Sequence, residues 1–251
     1  MARLIFLLAL AFVSCTSTPA AVATATATPR LTPTPTLFTT TSAPTASPRT
    51  AAPAFRYVAI GASDTVGVGA SDPRSGSWPA RVAARLPAGT DYVNLGVSGS
   101  LAAQASREQL PAAIGLRPQL VTVWLAVNDL NASVTATDYA ASLRSVIAPL
   151  VSGTTARVFV GSVPDLRPLP AYAGTDQAAL LVRINAYNAA IAALASSFPG
   201  RVTVVDLFTG SGPLVNTMTV SGDGFHPSDA GYGLIADRFV KAVGDAGIAL
   251  R

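Results

Sequence analysis

The stretch Arg56-Tyr57-Val58-Ala59-Ile60-Gly61-Ala62-Ser63-Asp64-Thr65-Val66-Gly67 begins as a short apolar, β-branched run and breaks into a glycine-bounded turn. Arg56–Ile60 reads as a strand, and the turn that follows carries a hydroxyl, Ser63, to the strand's end. A serine beside glycine ordinarily serves as a turn or cap residue. Ser63 therefore gains meaning only from what stands at the ends of the other strands.

Downstream, the same texture repeats. Strands are expected at Arg56–Ile60, Tyr92–Leu95, Leu120–Leu125, Arg157–Gly161 and Val202–Asp206, and helices at Trp78–Leu86, Leu101–Glu108, Ala136–Leu150, Asp176–Ser197 and Ser228–Val243. In the fourth helix, Leu180, Leu181, Ile184, Tyr187, Ile191 and Leu194 recur at three- and four-residue steps and mark one buried face. Short strands alternating with Ala-rich helices predict an α/β domain from residue 55 to 251, a three-layer α/β/α sandwich around a five-stranded parallel sheet. Ligands of such sheets collect beyond the carboxyl ends of the strands.

Three further segments fall at that edge. Asn94-Leu95-Gly96-Val97-Ser98-Gly99 follows the second strand, and Gly96 lets a backbone N–H come close to a ligand. Ala126-Val127-Asn128-Asp129 follows the third and offers an amide donor. Asp223-Gly224-Phe225-His226-Pro227 places a carboxylate three residues before the chain's single histidine, just ahead of the last helix. Each piece has an ordinary structural explanation, but their joint order does not. For Asp64 and Asp129, turn and cap roles are favoured over contact with a substrate.

This ordered set resembles the SGNH, or GDSL-type, hydrolase family, whose four blocks carry Ser, Gly, Asn and His. The resemblance runs over essentially all of residues 55 to 251, including Ala186-Tyr187-Asn188 and Val205-Asp206-Leu207, and its most specific block is Asp223-Gly-Phe-His-Pro-Ser. It implies a flavodoxin-like sandwich, with Ser63 as nucleophile, His226 as general base and Asp223 as the orienting acid. The Ser63 and Gly96 backbone N–H groups with the Asn128 amide would form the oxyanion hole. Two positions depart from the pattern: Ala62 stands where the family usually has Asp, and Ala126 replaces the Gly of the Gly-x-Asn-Asp block.

The resemblance further implies a serine esterase that needs no metal or organic cofactor, acting on a small or carbohydrate-borne ester such as an acetyl group. Hydrolysis of a lipid ester or thioester, acyl transfer to a sugar, and a tethered module that binds without turnover are the alternatives.

The composition narrows the setting. The formal charge is +4, but Arg3, Arg30 and Arg49 lie in the first 54 residues, which hold no Asp or Glu, so the remainder is close to neutral and has no basic run for a nucleic-acid backbone. With one Cys and one His, the chain has no internal disulfide and no transition-metal ligand set. Met1-Ala2-Arg3, the apolar run Leu4–Val13 and Ser14-Cys15 have the order of a bacterial secretory signal, spanning residues 1–15. Phe12-Val13-Ser14-Cys15 resembles a lipoprotein lipobox, with Phe12 where Leu is usual. Lipidation at Cys15 and display on the outer face of the cell membrane are expected, with a cleaved signal and free secretion as the alternative. From residue 16 to 54, 33 of 39 residues are Ser, Thr, Pro or Ala. That segment reads as a disordered tether, able to reach on the order of 100 Å.

Overall fold

The computed structural model describes residues 55–216 and 218–251; the secretory segment, Cys15 and the tether lie outside them. Strands β1 (Arg56–Gly61), β2 (Asp91–Asn94), β3 (Leu120–Trp124), β4 (Arg157–Gly161) and β5 (Val202–Val205) form one sheet in the order β2-β1-β3-β4-β5, with every neighbouring pair parallel. Between them run helices α1 (Ser63–Val66), α2 (Pro73–Gly76), α3 (Trp78–Ala83), α4 (Ala102–Glu108), α5 (Leu110–Gly115), α6 (Val127–Asn131), α7 (Ala136–Gly153), α8 (Gln177–Ser196) and α9 (Asp229–Asp245).

Strand alternation assigns the two faces. Val58, Ile60, Val121, Val123, Val158 and Val160 point to one side, where they meet Ala105, Leu143 and Ile184 from α4, α7 and α8. Tyr57, Ala59, Leu120, Trp124 and Phe159 point to the other, against Trp78 and Val82 of α3 and Phe239 of α9. The central strands are buried on both faces and so read as continuous apolar runs. The one polar intruder, Thr122, is satisfied by Tyr57, whose hydroxyl lies 2.8 Å from Thr122 Oγ1. Trp78 is fully buried and stacks on Phe239 with ring centroids 4.2 Å apart; cutting such a side chain to Ala costs about 3–5 kcal/mol.

The expected fold class is present, with all five strands and five main helices in their expected order. The ends differ by a few residues, because caps and not hydrophobic period set them: Asp176 accepts the N–H groups of Ala178 and Ala179, and Ser228 that of Gly231. α5 is an addition, and its Pro111 occupies the first turn, where a missing N–H is harmless. α1, α2 and α6 are too short to carry a period.

The strand order determines where a ligand belongs. The chain leaves β1 for β2 on one side and returns to β3 on the other, so the crevice of the sheet opens between the ends of β1 and β3. Ser63 follows the first of these strands and Asn128 the second.

Candidate active site

Ser63 is the first residue of α1, buried to 8 % exposure, two positions beyond Gly61 at the end of β1. Its position is fixed from below by Gln109, which the sequence reading passed over. Gln109 is buried, accepts the Gly61 N–H on Oε1 at 3.0 Å and donates from Nε2 to Gly61 O at 3.0 Å and to Ser100 Oγ at 3.1 Å. One side chain thus joins the turn after β1 to the loop after β2. Gly61 O also accepts the Val97 N–H at 3.1 Å.

The third wall comes from α6. Tyr139 and Tyr187 stack at 4.4 Å, and their hydroxyls donate to Leu125 O and Val134 O, each at 2.7 Å, which clamps the segment on both sides of Asn128. Asp129 is buried and accepts the Ala102 N–H at 3.1 and 3.2 Å, tying α6 to the start of α4. Burial raises its carboxyl above the usual range, and the Ala102 N–H opposes the shift. The role is structural, as its sequence position suggested. Asn128 donates one amide hydrogen to Ser100 O at 3.2 Å.

The last wall is the loop before α9. Asp223 Oδ1 accepts from Ser221 Oγ at 2.7 Å and from the Phe225 and His226 N–H groups at 2.9 Å, while Oδ2 lies 2.6 Å from His226 Nδ1. An antiparallel bridge between Val220 and Pro227 closes the loop, and the Ser221 N–H donates to His226 O at 2.8 Å. Burial pushes the Asp223 carboxyl upward, but the hydrogen bonds from His226, the Phe225 N–H, Ser221 and the His226 N–H together hold it far below the usual carboxylate range. An ionised carboxylate only accepts, so Nδ1 carries the ring hydrogen and Nε2 presents a lone pair. That lone pair faces Ser63: His226 Nε2 lies 2.9 Å from Ser63 Oγ.

The expected Ser63, His226 and Asp223 are therefore brought into one hydrogen-bonded chain. The expected donor Gly96 is a different matter. Its N–H donates to Asn94 Oδ1 at 2.9 Å, and Asn94 is oriented by a second bond from Nδ2 to Thr65 O at 2.7 Å. Gly96 is glycine because a Cβ there would lie 2.9 Å from Thr65 Cγ2. Three residues on, Gly99 adopts φ +78° and its N–H has no acceptor among the described residues. It precedes Ser100, whose carbonyl holds the Asn128 amide. The Ser63 N–H is likewise without an acceptor among the described residues.

A cleft of about 120 Å3 adjoins the triad, walled by Trp124, Val127, Leu166, Leu207 and Phe225 among others. Neither Ser63 nor His226 lines it; their chain neighbours Asp64, Phe225 and Pro227 do. A smaller hollow of about 10 Å3, room for roughly one water, lies between Ala62, Asp64, Ala126 and Asn128 at the end of β3. Asp64 borders both. Contrary to the turn or cap role expected of it, its carboxylate receives no hydrogen bond from another residue among those described. Burial pushes the carboxyl up to about 6; His226 and its own N–H pull against this, and Asp223 adds to it. Its surface is partly open, but onto apolar walls that hydrate it poorly. Among the described residues, no group of three or more His, Cys, Asp or Glu side chains is placed to hold a metal ion.

A Ser–His–Asp chain at the carboxyl edge of a five-stranded parallel sheet has the arrangement of a serine hydrolase on an α/β sandwich. The profile of the GDSL-like Lipase/Acylhydrolase family matches residues 59–234, and the chain belongs to that family: it is an SGNH-type esterase. Among solved structures, its fold is similar to that of an α/β hydrolase from the metagenome of Lake Arreo, Spain (TM-score 0.62, 20 % identity, 76 % of this chain and 95 % of that one). It is also similar to TesA (0.60, 23 %, 76 % and 99 %) and to the acetylxylan esterase Axe2 of Geobacillus stearothermophilus (0.61, 19 %, 76 % and 94 %). No curated protein sequence matches the chain.

Proposed function

We propose that the chain hydrolyses carboxylic esters through an acyl-enzyme on Ser63. The observation that carries this reading is the unbroken line from Asp223 through His226 to Ser63 Oγ, at 2.6 and 2.9 Å. His226 Nε2 takes the Ser63 proton as Oγ attacks the ester carbonyl, and Asp223 stabilises the imidazolium that forms. The carbonyl oxygen becomes an anion, received by the Ser63 N–H, the second amide hydrogen of Asn128 and the Gly99 N–H, which replaces Gly96 in this role because it is free. His226 returns its proton to the leaving alcohol, then takes one from a water that attacks the acyl carbonyl, and gives that proton to Ser63 Oγ as the acyl–oxygen bond breaks and the acid departs.

The substrate proposed is a small or carbohydrate-borne acetyl ester. The hollow beside Asn128, into which the Ala126 methyl intrudes where the family has Gly, leaves no room for a long acyl chain. Two proteins of similar fold also favour it: Axe2, an acetylxylan esterase, and a two-domain esterase active on acetylated mannans, of which this chain covers 50 % at 15 % identity. The apolar cleft next to it favours a second reading, a longer acyl chain on an ester or thioester. We further propose that the chain is exported and held at the membrane by a lipid on Cys15, a reading carried by its N-terminal sequence alone.

The full chain is to be assayed on short- and long-chain aryl esters beside Ser63→Ala and His226→Ala. Wild-type turnover lost in both variants supports the assignment; equal rates in all three proteins, or a serine-directed organophosphate that leaves Ser63 unlabelled, would remove it in favour of a binding module. An acylated sugar formed in the presence of a sugar acceptor would mark a transferase. Cys15→Ala is expected to leave the membrane fraction.

A further inference from the structure

We infer that Asp64 makes the cleft beside Ser63 a subsite for a cationic group, so that the preferred esters carry a protonated amine or quaternary ammonium a few bonds from the reacting carbonyl. The inference rests on the esterase reading above and names the class of substrate within it. The chain lacks a carboxylate immediately before its nucleophile, at Ala62, and has one immediately after it.

Three observations carry this inference. Asp64 follows Ser63 directly and borders both the cleft and the hollow that contains Asn128, so a group held by its carboxylate stays within reach of the oxyanion site. The cleft that Asp64 borders has two other charged residues, Asp165 and Arg238, neither of which pairs with it. Asp165 is ion-paired to Arg167 at 2.8 Å, while Arg238 donates to Asp206 O and Thr209 O, each at 2.8 Å. Asp64 alone has no partner from another residue among those described. The remaining walls include Trp124 and Phe225, aromatic side chains whose ring faces attract a cation.

An acetylated neutral sugar offers that carboxylate only hydroxyls, and an alkyl chain offers it nothing. An ammonium group completes it, and ion pairing in a poorly hydrated cleft is far stronger than at the surface. The charged groups that act on Asp64 are His226, which attracts it, and Asp223, which repels it; Tyr172 and Tyr232 feel its charge in turn. The Tyr172 and Tyr232 hydroxyls donate to Asn131 Oδ1 and Val68 O, so neither donates to the Asp64 carboxylate. As pH falls through about 6, Asp64 takes up a proton and the attraction for a cation should fade.

The test pairs cationic esters with neutral isosteres on both sides of the bond: the β-alanine against the butyrate ester of one phenol, and acetylcholine against 3,3-dimethylbutyl acetate. The expected result is a kcat/KM preference for the cation in at least one pair, on the order of ten- to a hundredfold, that falls to near unity in Asp64→Asn. Ratios unaltered by Asp64→Asn in both pairs, or no preference in the wild type, would overturn the proposal. Binding is measured separately from turnover in Ser63→Ala, by calorimetry with benzyltrimethylammonium against benzyl alcohol. Tighter binding of the cation at pH 8 than at pH 5, lost in Ser63→Ala/Asp64→Asn, supports the subsite even if no tested ester is turned over. Equal binding of cation and alcohol would remove it while leaving the esterase reading intact.

Discussion

Gln109 and Gly61 form a closed pair: the side-chain amide of one both accepts from and donates to the peptide of the other, each bond 3.0 Å long. The link spans 48 residues and lies two positions from the nucleophile. Gln109→Leu keeps the volume and removes both bonds, leaving the Gly61 N–H buried without an acceptor. The expected cost is about 1–3 kcal/mol, a fall in melting temperature of several degrees, together with a lower kcat as Ser63 loses its footing. A variant with unchanged melting temperature and unchanged kcat would show that the pair positions nothing.

Asn128 offers a cleaner test of the oxyanion site, because only its Ser100 contact is structural. Asn128→Ala should reduce kcat by roughly 100- to 1,000-fold. Its melting temperature should move little, and a serine-directed organophosphate should still label Ser63, since the nucleophile and base are untouched. A loss below tenfold would mean that the backbone donors suffice.

Asp223→Asn removes the charge behind the imidazole and should lower kcat by about four orders of magnitude, as loss of the acid does in triads generally. The folded-state carboxyl is held far below its unfolded value, so its contribution to stability is complete above the usual carboxylate range and is lost as pH falls towards the depressed value. Acid melts should therefore show a shallower loss of stability below pH 4 in Asp223→Asn than in the wild type. Parallel acid melts in the two proteins would contradict this.

Asp64 predicts the opposite sign. Its carboxyl is raised on folding to about 6, so between the usual carboxylate range and pH 6 the native state binds more protons than the unfolded chain, and stability falls as pH rises through that window. Asp64→Asn should be more stable than the wild type at pH 8, by on the order of 1 kcal/mol, with the gain vanishing near pH 4. Melting curves at the two pH values decide it; a gain independent of pH would place its origin outside the charge.

Much of this was legible before any coordinates. The lone histidine three residues after an aspartate, with serine and asparagine at earlier strand ends, located the side chains that meet, because strand order converts sequence position into spatial edge. What was not legible depends on individual hydrogen bonds. Gln109 sits between two helices with no periodicity to single it out, and whether Gly96 or Gly99 has a free N–H turns on where one side chain, Asn94, points. Asp64 has the sequence profile of a cap and becomes something else only because the walls around it are apolar. Pro111 signals a break in the chain but begins a helix.

The bond from His226 to Asp223 closes over 3 residues, whereas the bond from His226 to Ser63 closes over 163. The acid and base can thus meet as soon as their own loop forms, while the nucleophile waits until the C-terminal segment has docked on the first strand. Return of turnover during refolding consequently reports the docking of the C-terminal segment on the first strand, and a truncation that removes the Asp223–His226 loop would silence the enzyme while leaving all five strands in the chain.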